Sequence, residues 1–424
     1  MRFQTLKGFN DILPDDFRYW RHVLGVATGL ADRFGYVQVD PPIIEETRLF
    51  LRGLQEGSAV VLDKELYNFD DQDGTNICLR PEFTAGVMRT YVEHGMHTWP
   101  KPVKLFAIGP VFRHEKPQAG RFRQHTQLNV ECLGEEDPAA DLEIMQLSYS
   151  LYSELGFQGL TFQLNSIGCP DCRPAYIEKL VSYFTAHQDQ LPAIDQRRLE
   201  VNPLRVLDTK EAATLALLDD APKSIDNLCQ GCTDHFEALV GYLDVLNLPY
   251  IINSRLVRGF DYYVRTVFEV WGEELGAQNA LCGGGRYDGL VKSVGGPSTP
   301  GVGVGIGVER IVLSLRAQDI EPPPLDSPQV MALHRGAAAK AVAVELVSQL
   351  RQARIPSLLA FGSRSLKAQF KSANRAAVRF AIILGEDELE RGVATLRDME
   401  DGEQTEVALG EVVAWLADRL ISDL

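Results

Sequence analysis

Arg255-Leu-Val-Arg-Gly-Phe-Asp-Tyr-Tyr-Val-Arg-Thr-Val-Phe-Glu269 is followed, a short way on, by Gly284-Gly-Arg-Tyr-Asp288. The two strings set Arg258 and three tyrosines, Tyr262, Tyr263 and Tyr287, beside glycine-rich turns. Between them Thr266-Val-Phe-Glu-Val-Trp271 alternates as a β-strand does. Glycine lets a backbone approach a ligand closely, and arginine is the usual fixed cation for a carboxylate or phosphate. Alone, the segment reads equally well as a strand pair with a salt bridge or as part of an anion site. The rest of the chain decides between them.

At 424 residues the chain is too long for one ordinary core, so two or three domains are expected. Its 45% hydrophobic and 24% charged content are those of a soluble globular protein. No apolar run is long enough to cross a bilayer, so no membrane partner is expected. The opening Met1-Arg-Phe-Gln-Thr-Leu-Lys-Gly-Phe-Asn10 lacks the apolar core of a signal peptide. Seven cysteines, an odd number in a long chain, argue against a disulfide scaffold and for a reduced, cytoplasmic protein. The net charge of −16 disfavours a general nucleic-acid binder. The charge is uneven, however. Residues 329–424 hold 12 Lys and Arg against 13 Asp and Glu, leaving 30 against 45 for the first 328. A nearly neutral C-terminal segment is the part better suited to a polyanion.

Asp16–Phe34 repeats apolar residues at helical spacing (Phe17, Trp20, Val23, Leu24, Ala27, Leu30), and Gly35 is a plausible stop. Tyr36–Asp40, Lys104–Arg113 and Gln127–Glu131 read as strands, and Pro138–Gly156 as a helix. Strands and helices without regular alternation predict an α+β core with an antiparallel sheet, over residues 1–321. A mostly helical, polar stretch from about 169 to 236 reads as an insertion. Pro322-Pro-Pro324 cannot continue a helix and marks a linker over 322–328. Beyond it, 329–424 alternates strand and helix: a small α/β domain.

Four groups of residues could carry chemistry. Phe112-Arg113-His-Glu115, Arg121-Phe-Arg123-Gln-His125-Thr-Gln127 and Glu131 are dense in ligands for a triphosphate, although a solvated hairpin with surface ion pairs would look similar. Gln127 and Glu131, four apart on a strand, share one face. Leu79-Arg-Pro-Glu82-Phe-Thr84 offers a carboxylate and a hydroxyl, or merely an acidic first helical turn. Gly305-Ile-Gly-Val-Glu309-Arg310 is a glycine-lined strand that puts an arginine on a helix start; no P-loop Lys-Ser/Thr follows. Cys169-Pro-Asp-Cys172 and Cys229-Gln-Gly-Cys232 could hold a structural zinc or be free thiols, since the gap between them is long for a zinc knuckle pair. Arg364, Lys367, Lys371, Arg375 and Arg379 form one stripe if they lie on a helix, either a solvated face or a surface for a polyanion.

Together these pieces resemble the histidyl-tRNA synthetases, class II aminoacyl-tRNA synthetases, over essentially the whole chain. Lys7-Gly-Phe-Asn-Asp-Ile-Leu-Pro14 is similar to the family's opening segment, and Pro41 to its motif 1, which builds a dimer interface. Phe112–Glu131 resembles motif 2 and Gly305–Arg310 motif 3. Leu256–Glu269 and Gly283–Leu290 are similar to the two histidine-specific segments. Gly362–Lys371 and Ile383–Leu389 are similar to an anticodon-binding domain.

The resemblance implies a homodimeric, Mg²⁺-assisted, ATP-dependent ligase that makes histidyl-adenylate from L-histidine and passes the histidyl group to tRNA(His). It implies that Arg113 holds the α-phosphate and the histidine carboxylate, with Arg258 opposite as the second catalytic cation. Arg121 and Arg310 would grip the outer phosphates, and Glu115 and His125 would also meet ATP. Glu82, Thr84 and Gln127 would hold the α-ammonium; Glu131, Tyr263, Tyr262 and Tyr287 would complete the histidine pocket. Arg364, Lys367, Lys371 and Arg375 would meet tRNA. Two positions depart from the family: His125 stands where it has a stacking Phe, and Phe83 where it has Gly or Leu. Phe83 is reminiscent of the regulatory subunit of ATP phosphoribosyltransferase, the alternative reading, which generally lacks the C-terminal domain and degrades the Arg-Gly-x-Asp-Tyr-Tyr string.

Overall fold

A computed structural model describes residues 3–52, 65–114, 122–259, 262–272, 280–325 and 327–420. The chain divides into two compact units, Met1–Pro323 and Pro324–Leu424.

The first unit is built on an eight-stranded sheet. In spatial order its strands are Val37–Gln38, Val103–Phe112, Gln124–Leu133, Gly301–Gly307, Ala280–Arg286, Val264–Trp271, Thr161–Ser166 and Tyr250–Ile252. The six central strands pair antiparallel; only the two edge pairings are parallel. The side-chain period of two sorts the central strands sharply. On Gln124–Leu133 the even residues Leu128, Val130 and Cys132 join the main core, as do Val302, Val304 and Ile306 on Gly301–Gly307. Helices Phe17–Arg33, Pro138–Glu154 and Val308–Ala317 cover that face. The odd positions of the same strands are Gln127, Asn129 and Glu131 on one and glycines on the other. One face is therefore greasy and sealed, and the other is polar and shaped by missing side chains.

Helix Thr84–Glu93 closes part of the second face with Val87, Met88 and Tyr91. A three-stranded antiparallel sheet, Ile44–Glu46, Asn76–Leu79 and Tyr67–Asp70, leads into it. Phe83 is fully buried in that packing, with the Arg80 guanidinium stacked 4.0 Å from its ring centroid. Arg286 is the other buried arginine. It pairs with Asp141, both wholly inaccessible, and donates to Glu135 O at 2.8 Å. Removing one partner of such a pair costs about 3–5 kcal/mol, which makes Arg286 scaffold rather than a ligand-binding group.

Between strands Thr161–Ser166 and Tyr250–Ile252 run helices Arg173–Ala186, Ala193–Val201 and Gln230–Val245. The first packs a separate small core around Tyr176, Leu180 and Phe184. The last straddles the sequence-derived end of the insertion and buries Phe236, Leu239 and Leu243 in the main core.

The second unit has the sheet order Ser357–Leu359, Val330–His334, Phe380–Leu384, Val393–Asp398, Gln404–Ala408. The first three strands are parallel and the last two antiparallel. Helices Ala337–Gln352 and Val412–Leu420 share its core. Buried Gln369 ties helix Leu366–Arg375 down: it donates to His334 O and Arg364 O, each at 2.8 Å.

Candidate active site

A cleft of about 360 Å³ opens on the polar face of the large sheet. Glu82, Thr84, Arg113, His125, Gln127, Arg258, Tyr262, Tyr263 and Arg310 all line it. These residues span more than two hundred positions and meet because the central strands are antiparallel neighbours. Glu131 and Tyr287, each 1% exposed, do not line it; they lie buried behind it, Glu131 bonded to Asn129 and Tyr287 packed on Tyr262 and Tyr263. Glu115 and Arg121 lie outside the described residues.

Glycine makes the floor. Gly303 faces Glu131 across the ladder, and a Cβ there would stand 1.8 Å from Glu131 Oε2 and 2.7 Å from the Tyr287 hydroxyl. A Cβ on Gly283 would overlap the Arg258 guanidinium, 2.2 Å from Nη1. No larger residue leaves room for those side chains at either position.

The polar groups are graded by what already holds them. Gln127 donates to Asn129 at 3.0 Å, and Asn129 to Glu131 Oε1 at 2.5 Å. Glu131 Oε2 and the Tyr287 hydroxyl are buried without a hydrogen-bond partner among the described residues. Both stand beside the place a Gly303 Cβ would take, so the two atoms converge on one another behind the cleft. Burial pushes the Glu131 carboxyl up to about 8; Thr84 and Asn129 oppose the rise and nearby Glu82 adds to it. Glu82 is also raised by burial, against the amides of Ala85 and Thr84 and the charge of Arg113. It caps helix Thr84–Glu93 by accepting from those two amides. The charge of Glu82 thus adds to the rise at Glu131, and a cation beside the pair would relieve it. Burial also holds the Tyr262 phenol far above its usual range, and that of Tyr263 above it.

The cleft also carries cations. Arg258 donates to Glu269 at 3.0 Å, and Trp271 Nε1 donates to the same carboxylate at 2.9 Å. Arg113 donates to Pro81 O at 2.9 Å and Arg310 to Ala280 O at 2.5 Å, so each is anchored to backbone. Burial and then the charge of Arg113 bring His125 down to about 4, which leaves it a neutral ring. Phe122 lines the cleft with it. Fixed cations interleaved with carboxylates suit a zwitterion presented to a polyphosphate.

Sequence reasoning missed three lining carboxylates or amides. Asn129 has the same strand parity as Gln127 and Glu131, and that was the available signal. Glu309 stands beside Arg310; its carboxylate accepts from Thr126 N at 2.7 and 2.8 Å, and burial pushes it up to about 6. Glu269 has no signal beyond its place at the end of the string. Phe83, in contrast, points into the core rather than the cleft, so its departure from the family pattern is a packing matter.

Two further groups resolve differently. The four cysteines come together: Sγ atoms of Cys169, Cys172, Cys229 and Cys232 all lie within 4.8 Å of one another. The basic stripe is shorter than expected. Only Lys367, Lys371 and Arg375 lie on helix Leu366–Arg375, because Ser365 caps it and Gly362 turns before it. Arg364 precedes the helix and lines a cleft of about 690 Å³ with Arg335 and Lys340. Arg379 opens the next strand region and pairs with Asp398 at 2.7 Å and with Glu400.

Residues 8–311 match the family model described as histidyl-tRNA synthetase, and 329–419 match that of an anticodon-binding domain. The histidine–tRNA ligase of Pelotomaculum thermopropionicum is 45% identical over 98% of this chain and 97% of its own. That of Dehalococcoides mccartyi is 44% identical over 97% and 98%. The apo histidyl-tRNA synthetase of S. aureus superposes with a TM-score of 0.83 at 32% identity, covering 98% and 99% of the two chains.

Proposed function

The chain belongs to the histidyl-tRNA synthetase family, and from that premise we propose how its cleft performs the family's reaction. It is an aminoacyl-tRNA ligase: histidine and ATP give histidyl-adenylate and pyrophosphate, and the histidyl group then passes to tRNA. The observation that carries the assignment of residues is the pair of unpartnered atoms, Glu131 Oε2 and the Tyr287 hydroxyl, converging above Gly303. They suit an imidazole, which has one donor and one acceptor when neutral. A site built to bond both nitrogens rejects analogues that lack them far better than an apolar pocket does.

Glu82, Thr84 and Gln127 then hold the α-ammonium, while Tyr262 and Tyr263 wall the ring. This leaves the histidine carboxylate facing Arg113 and Arg258. Attack of a carboxylate on the α-phosphorus brings two anions together, and cations fixed beforehand lower that barrier without reorganising. Arg310, with Arg121 and Glu115 beyond the described residues, receives the outer phosphates; neutral His125 and Phe122 offer stacking area to adenine. Mg²⁺ accompanies ATP. It would neutralise phosphate charge there; Glu309, which accepts from Thr126 N, and Glu269, bonded by Arg258 and Trp271, are the lining carboxylates that would be nearest to hand.

The second unit reads tRNA(His) through Lys367, Lys371, Arg375 and Arg364. A homodimer forms through the segment around Pro41, where Val37, Ile43 and Ile44 are 55%, 42% and 47% exposed. Free cysteines suit a reducing cytoplasm, and no helix among the described residues is long and apolar enough to cross a membrane. Histidine-dependent ATP–pyrophosphate exchange by the purified chain tests the reading. Exchange that needs histidine, and needs more of it in Glu131→Ala, supports it; exchange indifferent to Glu131 overturns the assignment of the pocket.

A further inference from the structure

The geometry points to a zinc site, made by Cys169, Cys172, Cys229 and Cys232, that fixes the backbone carrying Tyr263 and so tunes the affinity for histidine. The four sulfurs stand at 3.7 Å (Cys169–Cys172), 3.8 Å (Cys169–Cys229) and 3.9 Å (Cys172–Cys232). A tetrahedron with zinc–sulfur bonds of about 2.3 Å has edges of about 3.8 Å. Disulfide bonds would need sulfurs at roughly half that separation, and all four cysteines are free. Among the described residues this is the one group of three or more metal-ligating side chains that meet.

The local backbone is shaped for the purpose. Each pair sits at a helix start: Cys169 and Cys172 lie in the turn before Arg173–Ala186, while Cys229 precedes Gln230–Val245 and Cys232 lies in its first turn. Gly168 has φ +72°, and a Cβ there would lie 2.9 Å from Cys172 Sγ. The Cys169 amide donates to Cys172 Sγ at 3.3 Å, a bond that stabilises a thiolate. Four soft sulfur ligands in a tetrahedron select zinc over magnesium or calcium, and each thiol passes its proton to solvent as the metal binds.

The turn is stitched to the histidine side of the cleft. Arg173, the residue after Cys172, donates to Ile167 O at 3.1 Å, to Gly168 O at 3.0 Å and to Tyr263 O at 2.5 Å. Arg265 N donates to Gly168 O at 2.9 Å, and Ile167 N donates to Arg265 O at 2.8 Å. Arg265 takes φ +50°, a left-handed conformation unusual for a residue with a side chain. The metal turn is thus hydrogen-bonded to both residues flanking Val264, and Tyr263 packs on Tyr262 and Tyr287 in the pocket. The anchors of the ATP side, Pro81 O for Arg113 and Ala280 O for Arg310, are not part of this network. Arg173 is a positioning residue, and zinc holds the turn from which it reaches.

The coupling rests on the proposed histidine pocket; the metal site does not. Full-length protein prepared without chelators should carry about one zinc per chain, and cobalt substitution should give the absorption of a tetrahedral tetrathiolate. Stripping the metal, or Arg173→Ala with the metal retained, should weaken histidine binding about tenfold in calorimetry while ATP binding stays within about twofold. Protein without bound metal, or with a spectrum that is not tetrathiolate, overturns the site. Metal present with unchanged histidine affinity after stripping and in Arg173→Ala overturns the coupling. Failure of every form to bind histidine would fault the pocket assignment instead, with the metal result standing on its own.

Discussion

The cleft presents arginines and the basic helix of the second unit lysines and an arginine, yet they treat charge in opposite ways. In the cleft each described cation is anchored: Arg113 and Arg310 to carbonyls, Arg258 to Glu269. On helix Leu366–Arg375 the side chains of Lys367, Lys371 and Arg375 are exposed, and none of them forms an ion pair among the described residues. The difference follows from what each must hold. A small zwitterion has few atoms, so each contact has to be desolvated and aimed to be worth much. A polyanion offers a charge every few ångströms, and mobile exposed cations gain by displacing its counterions. Changes in the cleft should therefore cause large, ligand-specific losses, and changes on the helix small, salt-dependent ones.

The largest expected effect is at Arg258. If Arg258 faces the reacting carboxylate as proposed, Arg258→Ala should lower the rate of adenylate formation by about 10³-fold. Glu269 keeps its bond from Trp271, so the fold should survive. Single-turnover adenylate formation beside a circular dichroism spectrum separates the two; near-normal rates would move Arg258 into the scaffold with Arg286. Next comes Gly303→Ala. Its methyl would collide with Glu131 Oε2 and crowd the Tyr287 hydroxyl. Histidine affinity should fall about 10²-fold, since a displacement near 1 Å is enough for that, and ATP affinity should hold. Calorimetry showing both ligands equally weakened would mean that the strand itself had shifted.

How much of this contrast is legible in the sequence depends on sequence distance. The basic helix is local: spacing of four shows Lys367, Lys371 and Arg375 on one face, and only its ends were misjudged, because Ser365 and Gly362 start the helix later than the charges do. The cleft is not local. Periodicity shows that Gly301–Gly307 is a strand and that Gln127 and Glu131 share a face. It does not show that the two strands are neighbours in the register Gly303 to Glu131, and that register turns a glycine repeat into a floor. The family resemblance supplied the grouping, while Asn129, Glu269 and Glu309 needed the pairing itself. The cysteine pairs are left open by the sequence for a similar reason: the gap between them is wide, and only the fold brings their four sulfurs together at two helix starts.

Glu131 should give a middle-sized effect with a pH signature. Glu131→Ala leaves an imidazole nitrogen unpaired, a loss of about 1–3 kcal/mol in histidine binding, with ATP binding largely intact. The empty protein offers a second reading. Its Glu131 titrates at about 8 against an ordinary value of 4.5. A folded state that holds its proton to a higher pH than the unfolded chain binds more protons in that window. Its stability is greatest at the acidic end and is lost as pH rises through 8. Glu131→Gln, which mimics the protonated form, should therefore gain in melting temperature over the unaltered protein as pH goes from about 5 to about 8. A constant gap would mean that the carboxyl is ionised across the whole range.

The smallest effect, and the one that most sharpens the contrast, is on the basic helix. Replacing Lys367, Lys371 and Arg375 with Gln leaves the buried Gln369 and Ala373 face untouched, so the unit should fold as before. Adenylate formation should be unchanged, since none of the three lines the cleft. Binding of tRNA at low salt should weaken by a modest factor. Its decline with salt should become shallower, with the slope of log affinity against log salt reduced by about one per phosphate contact removed. Exposed cations act through counterion release, and that contribution vanishes as salt rises; at high salt the variant and the original should converge. A loss that persists undiminished at high salt would mean that these side chains make desolvated, aimed contacts like those of the cleft. The two regions would then differ in address but not in kind.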